Sequence, residues 1–193
     1  MLTVGVLALQ GAFREHIKAL NRIGVRGQQV KLPQHLANLD ALIIPGGEST
    51  TIGKLAVAFK LIEPIRRLAM EGLPIFGTCA GMIFLAKSTA QGYGQPLLEL
   101  MDISVQRNGF GRQVDSFEID LAIPALGERP FRSIFIRAPY VERVGEGVST
   151  LATLPDGRIV SAREGNLLVS AFHPELGEDL RFHEYFVEMA RAK

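Results

Sequence analysis

The chain has 193 residues, 47% of them hydrophobic and 21% charged, which suits one α/β domain over residues 1–193 with a sizeable core. A formal net charge of +1 gives no electrostatic case for nucleic acid or an anionic membrane, and no apolar stretch approaches the ~20 residues that span a bilayer. The single cysteine excludes an internal disulfide and a cysteine-based zinc site within the chain, and fits a reducing cytoplasm.

The first apolar run, Leu2 to Leu9, has neither a basic leader nor a cleavage signature and reads as a buried parallel strand. Gln10-Gly11 breaks it. Ala12 to Ile23 carries apolar residues at helical spacing (Phe13, Ile17, Leu20) and stops at Gly24. A weaker strand follows over Val25 to Leu32, and a strong one over Asp40 to Ile44 ends at Pro45-Gly46-Gly47. Ser49-Thr50-Thr51 is placed to cap a helix running into the fifties, and Leu61 to Met70 is a further helix closed by Gly72 and Pro74. Leu73 to Phe76 is again of strand type. Strands alternating with helices imply a parallel sheet, and in such sheets function gathers at the carboxyl ends of the strands.

Beyond residue 100 the pattern changes. Asp102 to Arg107, Gln113 to Ile123, Phe131 to Arg137, Val148 to Leu154, Arg158 to Glu164 and Leu167 to Phe172 all read as extended, with a hairpin turn at Gly165-Asn166. The second half therefore adds antiparallel strands to the mostly parallel, helix-flanked sheet. A helix from about Asp179 to Ala192 closes the chain, with Phe182, Tyr185, Phe186 and Met189 on its apolar side.

Chemistry centres on Gly77-Thr78-Cys79-Ala80-Gly81, between a strand-like and a helix-like run. Gly-x-Cys-x-Gly is the thiol form of the nucleophile elbow, a sharp strand-to-helix turn that pushes its central side chain out of the sheet. A cysteine there also stands at a helix N-terminus, where the dipole favours a thiolate. A lone cysteine after a strand is equally a small buried hydrophobe, so a base must be found. His16, beside the apolar face of the first helix, reads as a packed or half-exposed structural residue, His35 as solvated, and His183 as a helix residue without a polar partner nearby in sequence. His173 ends an apolar strand and precedes Pro174-Glu175. Proline keeps His173 extended, and extended residues two apart share a side, so Glu175 can orient the ring toward Cys79. An oxyanion then needs two backbone donors: the N–H of Ala80, and one from the glycine loop Gly46-Gly47. Arg107 and Arg137, at strand ends, are suited to grip a substrate carboxylate.

Gly47 to Leu55 imitates a phosphate-binding P-loop, but its glycine spacing is one residue too long and Leu55 stands where a magnesium-binding hydroxyl belongs. Neither Gly92-x-Gly94 nor Gly109-x-Gly111 completes a dinucleotide fingerprint, and no metal cluster is evident. From spacing alone the chain is a thiol acyl-transfer hydrolase, with no resident metal or cofactor expected.

Gly77 to Gly81 with His173-Pro174-Glu175 resembles the class I, triad-type glutamine amidotransferases. Leu9-Gln10-Gly11-Ala12, Pro45 to Thr51, Arg107 to Gln113, Asp115 to Glu118 and Phe135 to Pro139 are similar, over essentially the whole chain, to the glutaminase-subunit family of pyridoxal 5′-phosphate synthases. Gly109 replaces a serine usual there, and Met82 and Phe84 replace aliphatic residues; none touches the triad. The resemblance implies hydrolysis of L-glutamine to L-glutamate and ammonia through a glutamyl thioester on Cys79. His173 moves protons, Glu175 orients it, and the N–H groups of Gly47 and Ala80 hold the oxyanion. It also implies glutamine contacts from Gly47, Glu48, Ser49, Arg107, Ile136 and Arg137, and a place for Gln10 near the oxyanion hole and a partner interface. The partner is a separate synthase subunit in a hetero-oligomer, to which ammonia passes for vitamin B6 synthesis. A triad domain fills these residues and leaves no room for an ammonia acceptor, so low activity without the partner is expected. The competing readings are a cysteine hydrolase of DJ-1/PfpI type and a non-catalytic scaffold subunit.

Overall fold

The structure, a computed structural model, describes residues 2–90, 92, 94–110 and 116–192. The start of the strand expected from Gln113, and the motif residues at 111–113 and 115, lie outside the described residues.

Parallel strands build the first half. β1 (Thr3–Leu7), β2 (Arg26–Val30), β3 (Ala41–Ile44) and β4 (Ile75–Thr78) pair in the order β2-β1-β3-β4. Their connections carry the helices α1 (Phe13–Arg22), α2 (Ser49–Ala58) and α3 (Ile62–Met70). Every residue of β3 and β4 is buried, as continuous apolar runs in a central parallel sheet require. After β4 come α4 (Ala80–Leu85), β5 (Ala86–Thr89), β6 (Met101–Gln106), β7 (Ser116–Leu121), β8 (Phe131–Ile136), β9 (Tyr140–Val144), β10 (Ser149–Thr153), β11 (Ile159–Glu164), β12 (Leu167–Ser170) and α5 (Arg181–Arg191). β12 returns to lie parallel to β4, and β11, β9 and β6 extend the sheet antiparallel from it. β5 closes that edge parallel to β6, β10 pairs with β11, and β7-β8 form a separate antiparallel pair. The α/β class with added antiparallel strands is as the sequence indicates.

Side chains alternate across β4. Phe76 points to one face, where it stacks on Phe182 (centroids 5.3 Å apart) and packs on Phe186 of α5. Gly77 faces α4 on the other side, so close that a Cβ would stand 2.5 Å from the carbonyl oxygen of Gly81. No helix among the described residues is long and apolar enough to cross a membrane.

Three register pairs aim the loops at one point. Ile44 pairs with Gly77, so the Pro45-Gly46-Gly47 loop leaves β3 beside Cys79. Ser170 pairs with Thr78, so the segment carrying His173 leaves β12 on the other side. Val6 pairs with Ile43, which brings Gln10 to the same edge. This is the carboxyl edge of the parallel strands.

Three elements differ from expectation. β5 and β9 are strands that the sequence pattern does not announce. The helix of the fifties is capped by Glu48, whose carboxylate accepts from the N–H groups of Thr50 and Thr51, rather than by Ser49-Thr50-Thr51.

Candidate active site

Cys79 sits at the turn between β4 and α4 with φ 49° and ψ −103°, a strained backbone for a residue with a side chain. Two bonds fasten it: its N–H donates to Ser170 O at 2.7 Å, and its carbonyl accepts from Ile83 N at 3.3 Å. The flanking glycines serve close approach rather than unusual φ. A Cβ at Gly81 would overlap the carbonyl oxygen of Ile44 and lie 2.8 Å from its carbon. Since α4 has only six residues, the dipole expected at Cys79 is short, and the nearer cationic group is His173.

His173 Nδ1 and Glu175 Oε1 are 2.7 Å apart, both residues are buried, and the ring lines the same cavity as Cys79. The cause of the His173–Glu175 pairing differs from expectation. Glu175 does not continue an extended strand; Pro174–Leu176 is a 3₁₀ turn with Pro174 at its start, where the fixed φ of proline fits. His173 N donates to Ile134 O at 2.8 Å, which pins the turn to β8. Burial disfavours charge on His173, but the bonds to Cys79 and Glu175 outweigh it and raise its pKa to about 10. Burial likewise opposes ionisation of Glu175, and the hydrogen bond and charge of the His173 ring outweigh it, keeping its pKa low. The resting pair is imidazolium and carboxylate.

The glycine loop completes the wall. Gly46 N donates to Thr78 Oγ1 at 2.9 Å, and Gly46 O accepts from Ala12 N at 2.9 Å. A Cβ at Gly46 would stand 2.5 Å from Cε1 of His173 and 3.3 Å from Cβ of Cys79, so only glycine lets the loop touch both. Gln10 Oε1 accepts from Glu48 N at 2.7 Å and lies where a Cβ of Gly47 would go.

The cavity before Cys79 measures about 440 Å³. Every expected site residue lines it except Glu175, which stands behind His173. Hydrogen bonds from Thr51 and from the Thr50 and Thr51 N–H groups overcome desolvation and hold the Glu48 pKa at about 2. Arg107 Nη2 is 3.4 Å from that carboxylate, and Arg107 Nη1 donates to Gln95 Oε1 at 2.9 Å. Gln95 Oε1 also accepts from Ser49 and Thr50. Sequence reading misses Gln95 because it lies in a loop far from these partners along the chain. Arg137, at φ 41°, and Ile136 are exposed at the cavity wall. Tyr140 fills the space where a side chain at Gly109 would sit, so the usual serine cannot enter without moving that ring.

A sequence profile of the SNO glutamine amidotransferase family matches residues 6–192. The chain belongs to the SNO glutamine amidotransferase family. Among its SNO-type relatives, pyridoxal 5′-phosphate synthase subunit PdxT of Herpetosiphon aurantiacus is 63% identical over 188 residues, covering 96% of this chain and 99% of the relative. PdxT of Moorella thermoacetica is 58% identical, over 97% of this chain and 99% of its own. A crystal structure of a glutamine amidotransferase matches at a TM-score of 0.93 and 52% identity, covering 97% of this chain and 98% of that one.

Two further histidines of this SNO-family chain, given no chemical role by the sequence reading, are fully buried behind the triad: His16 on α1 and His183 on α5. Burial lowers both pKa values, that of His183 to about 3, so both rings are neutral at pH 7. Below pH 6.5 the unfolded chain protonates at residue 183 while the folded chain does not until about pH 3. Stability from this ring is therefore complete above pH 6.5 and is lost as pH falls through about 3. His173 acts in the opposite sense, its contribution complete below pH 6.5 and lost as pH rises through about 10. Urea unfolding between pH 6.5 and 3 is expected to show stability falling by up to about 1.4 kcal/mol per pH unit from His183 alone, with a shallower slope in His183→Phe. Equal slopes would show that this ring is not buried neutral.

Proposed function

We propose that this chain is the glutaminase subunit of a pyridoxal 5′-phosphate synthase, hydrolysing L-glutamine in a single domain and delivering ammonia to a separate synthase subunit. The observation that carries the reading is Cys79 sharing a cavity walled by the Gly46-Gly47 loop with His173, whose ring is hydrogen-bonded to Glu175. Family membership and the PdxT relatives support this choice of substrate and partner.

The thiolate of Cys79 attacks the side-chain carboxamide carbon of glutamine, and the oxyanion that forms is held by the N–H groups of Gly47 and Ala80. His173 gives its proton to the departing nitrogen, and the C–N bond breaks to leave ammonia and a glutamyl thioester. The now neutral His173 takes a proton from water, whose oxygen attacks the thioester; glutamate leaves and the thiolate returns. Glu175 holds the ring through Nδ1 so that Nε2 faces the thiol, and stabilises it when charged. Glu48, ionised at neutral pH, suits the substrate α-ammonium, while Arg107 and Arg137 suit its α-carboxylate. Ser49 and Ile136 complete the contacts, and Gln10 lies at the partner-facing side of the oxyanion loop. A catalytic free thiol supports action in the reducing cytoplasm.

Glutamate release measured with and without added synthase subunit tests this. An increase of about ten-fold or more on adding synthase is expected, the scale of a typical coupling free energy. Equal rates would contradict partner control. Turnover of peptides or glycated substrates but not glutamine would instead favour the DJ-1/PfpI-type hydrolase.

A further inference from the structure

The catalytic carboxylate has two oxygens, and only one is accounted for by the triad. Oε1 of Glu175 meets His173, while Oε2 is buried and accepts no hydrogen bond of normal length among the described residues. Nε2 of His16 is 3.5 Å from Oε2 and 3.2 Å from Oγ1 of Thr78. Nδ1 of His16 is 2.9 Å from Nε2 of His183, and Nδ1 of His183 has no partner among the described residues. Thr78 Oγ1 also accepts the N–H of Gly46.

Resting on the glutaminase reading, we infer that His16 and His183 are positioning residues: a directed pair of neutral rings that turns an N–H toward the free oxygen of Glu175 and so fixes the carboxylate for His173. Two arrangements of protons are open to the pair. In one, His183 Nε2–H donates to His16 Nδ1, and His16 carries its proton on Nε2, facing Oε2 and Thr78. The only unmatched atom on the rings is then a bare lone pair on His183. In the other, His16 donates through Nδ1 to His183, whose proton must sit on Nδ1 with no acceptor. The bare Nε2 of His16 would then point its lone pair at a carboxylate oxygen 3.5 Å away. That arrangement buries an orphan N–H and opposes two electron-rich atoms, both costly in an apolar interior. Phe76 adds an apolar wall, lying nearly perpendicular to both rings. The first arrangement therefore holds. His16 thereby joins the two halves of the site, since Thr78, which it touches, also holds the oxyanion loop through Gly46.

The test is a pair of measurements on the full chain. In long-range ¹H–¹⁵N NMR of the histidine-labelled protein, His16 and His183 are both expected as neutral Nε2–H tautomers. A charged ring at either position, or the Nδ1–H tautomer at His16, would overturn the inference. In glutamine hydrolysis with the synthase present, His16→Leu should lower kcat about 10- to 100-fold, the scale of outer partners in other carboxylate–histidine sites, with KM unchanged. His16→Gln, which offers an amide N–H at similar reach, should recover most of the loss. Unchanged kcat in His16→Leu, or a Gln variant no better than Leu, would refute the positioning role. Should His16→Leu fail to fold, the tautomers and the Gln variant against wild type decide: a drop below one-tenth of wild-type kcat in His16→Gln refutes it. Absence of glutamine hydrolysis in the wild-type complex would instead count against the glutaminase reading, which the tautomers do not depend on.

Discussion

Replacing Cys79 by alanine is expected to lower glutamine hydrolysis by at least about 10⁴-fold, with the fold intact. Removing the nucleophile of a triad abolishes the covalent route and leaves only positioning and oxyanion stabilisation. Ground-state binding should persist, because Glu48, Ser49, Arg107 and Arg137 contact the cavity independently of the thiol. Calorimetry with glutamine and the synthase present should therefore show binding close to wild type. A second signature separates loss of the nucleophile from general damage. The bond and charge of Cys79 help raise the pKa of His173 to about 10, so the alanine variant should titrate at lower pH. A variant that still releases glutamate at more than a hundredth of the wild-type rate would remove Cys79 from the chemistry.

Gly81→Ala should be the most damaging single-methyl change in the elbow. The added Cβ meets the carbonyl group of Ile44, which is backbone of a fully buried strand and has nowhere to move. Overpacking of this kind costs about 3 kcal/mol or more, and for a domain of this size that lowers Tm by roughly 10 °C. Gly177→Ala is the matched control, since its Cβ approaches nothing closer than 3.9 Å at an ordinary φ of −92°. Circular dichroism melts of the two variants should differ clearly. A Gly81→Ala melt within 2 °C of wild type would mean that β3 and α4 are not packed this closely.

Much of this site is legible in sequence because its chemistry is local. Gly77 to Gly81 announces an elbow, and His173-Pro174-Glu175 places base and acid two residues apart. The second pairing arises differently from what extended chain implies: Pro174 starts a 3₁₀ turn, and the turn, not strand alternation, brings Glu175 to Nδ1. What escaped was long-range or masked by neighbours. His16 and His183 are 167 residues apart, and nothing near either one signals a polar partner. Gln95 gathers Ser49, Thr50 and Arg107 from separate elements. β5 runs on directly from the apolar residues of α4, so no breaker separates helix from strand. β9 alternates weakly because Glu142 and Arg143 are both exposed. Glu48 was readable as a substrate contact, whereas its capping of α2 depends on a side-chain conformation.

The most direct measurement is the mass of the Cys79 peptide after acid quench during turnover of glutamine with the synthase subunit present. One added glutamyl group on the Cys79 peptide, lost on treatment with hydroxylamine and missing from Cys79→Ala, is the expected result. Ammonia released in a stoichiometric burst with Cys79 unmodified at every quench time would contradict hydrolysis through a Cys79 thioester.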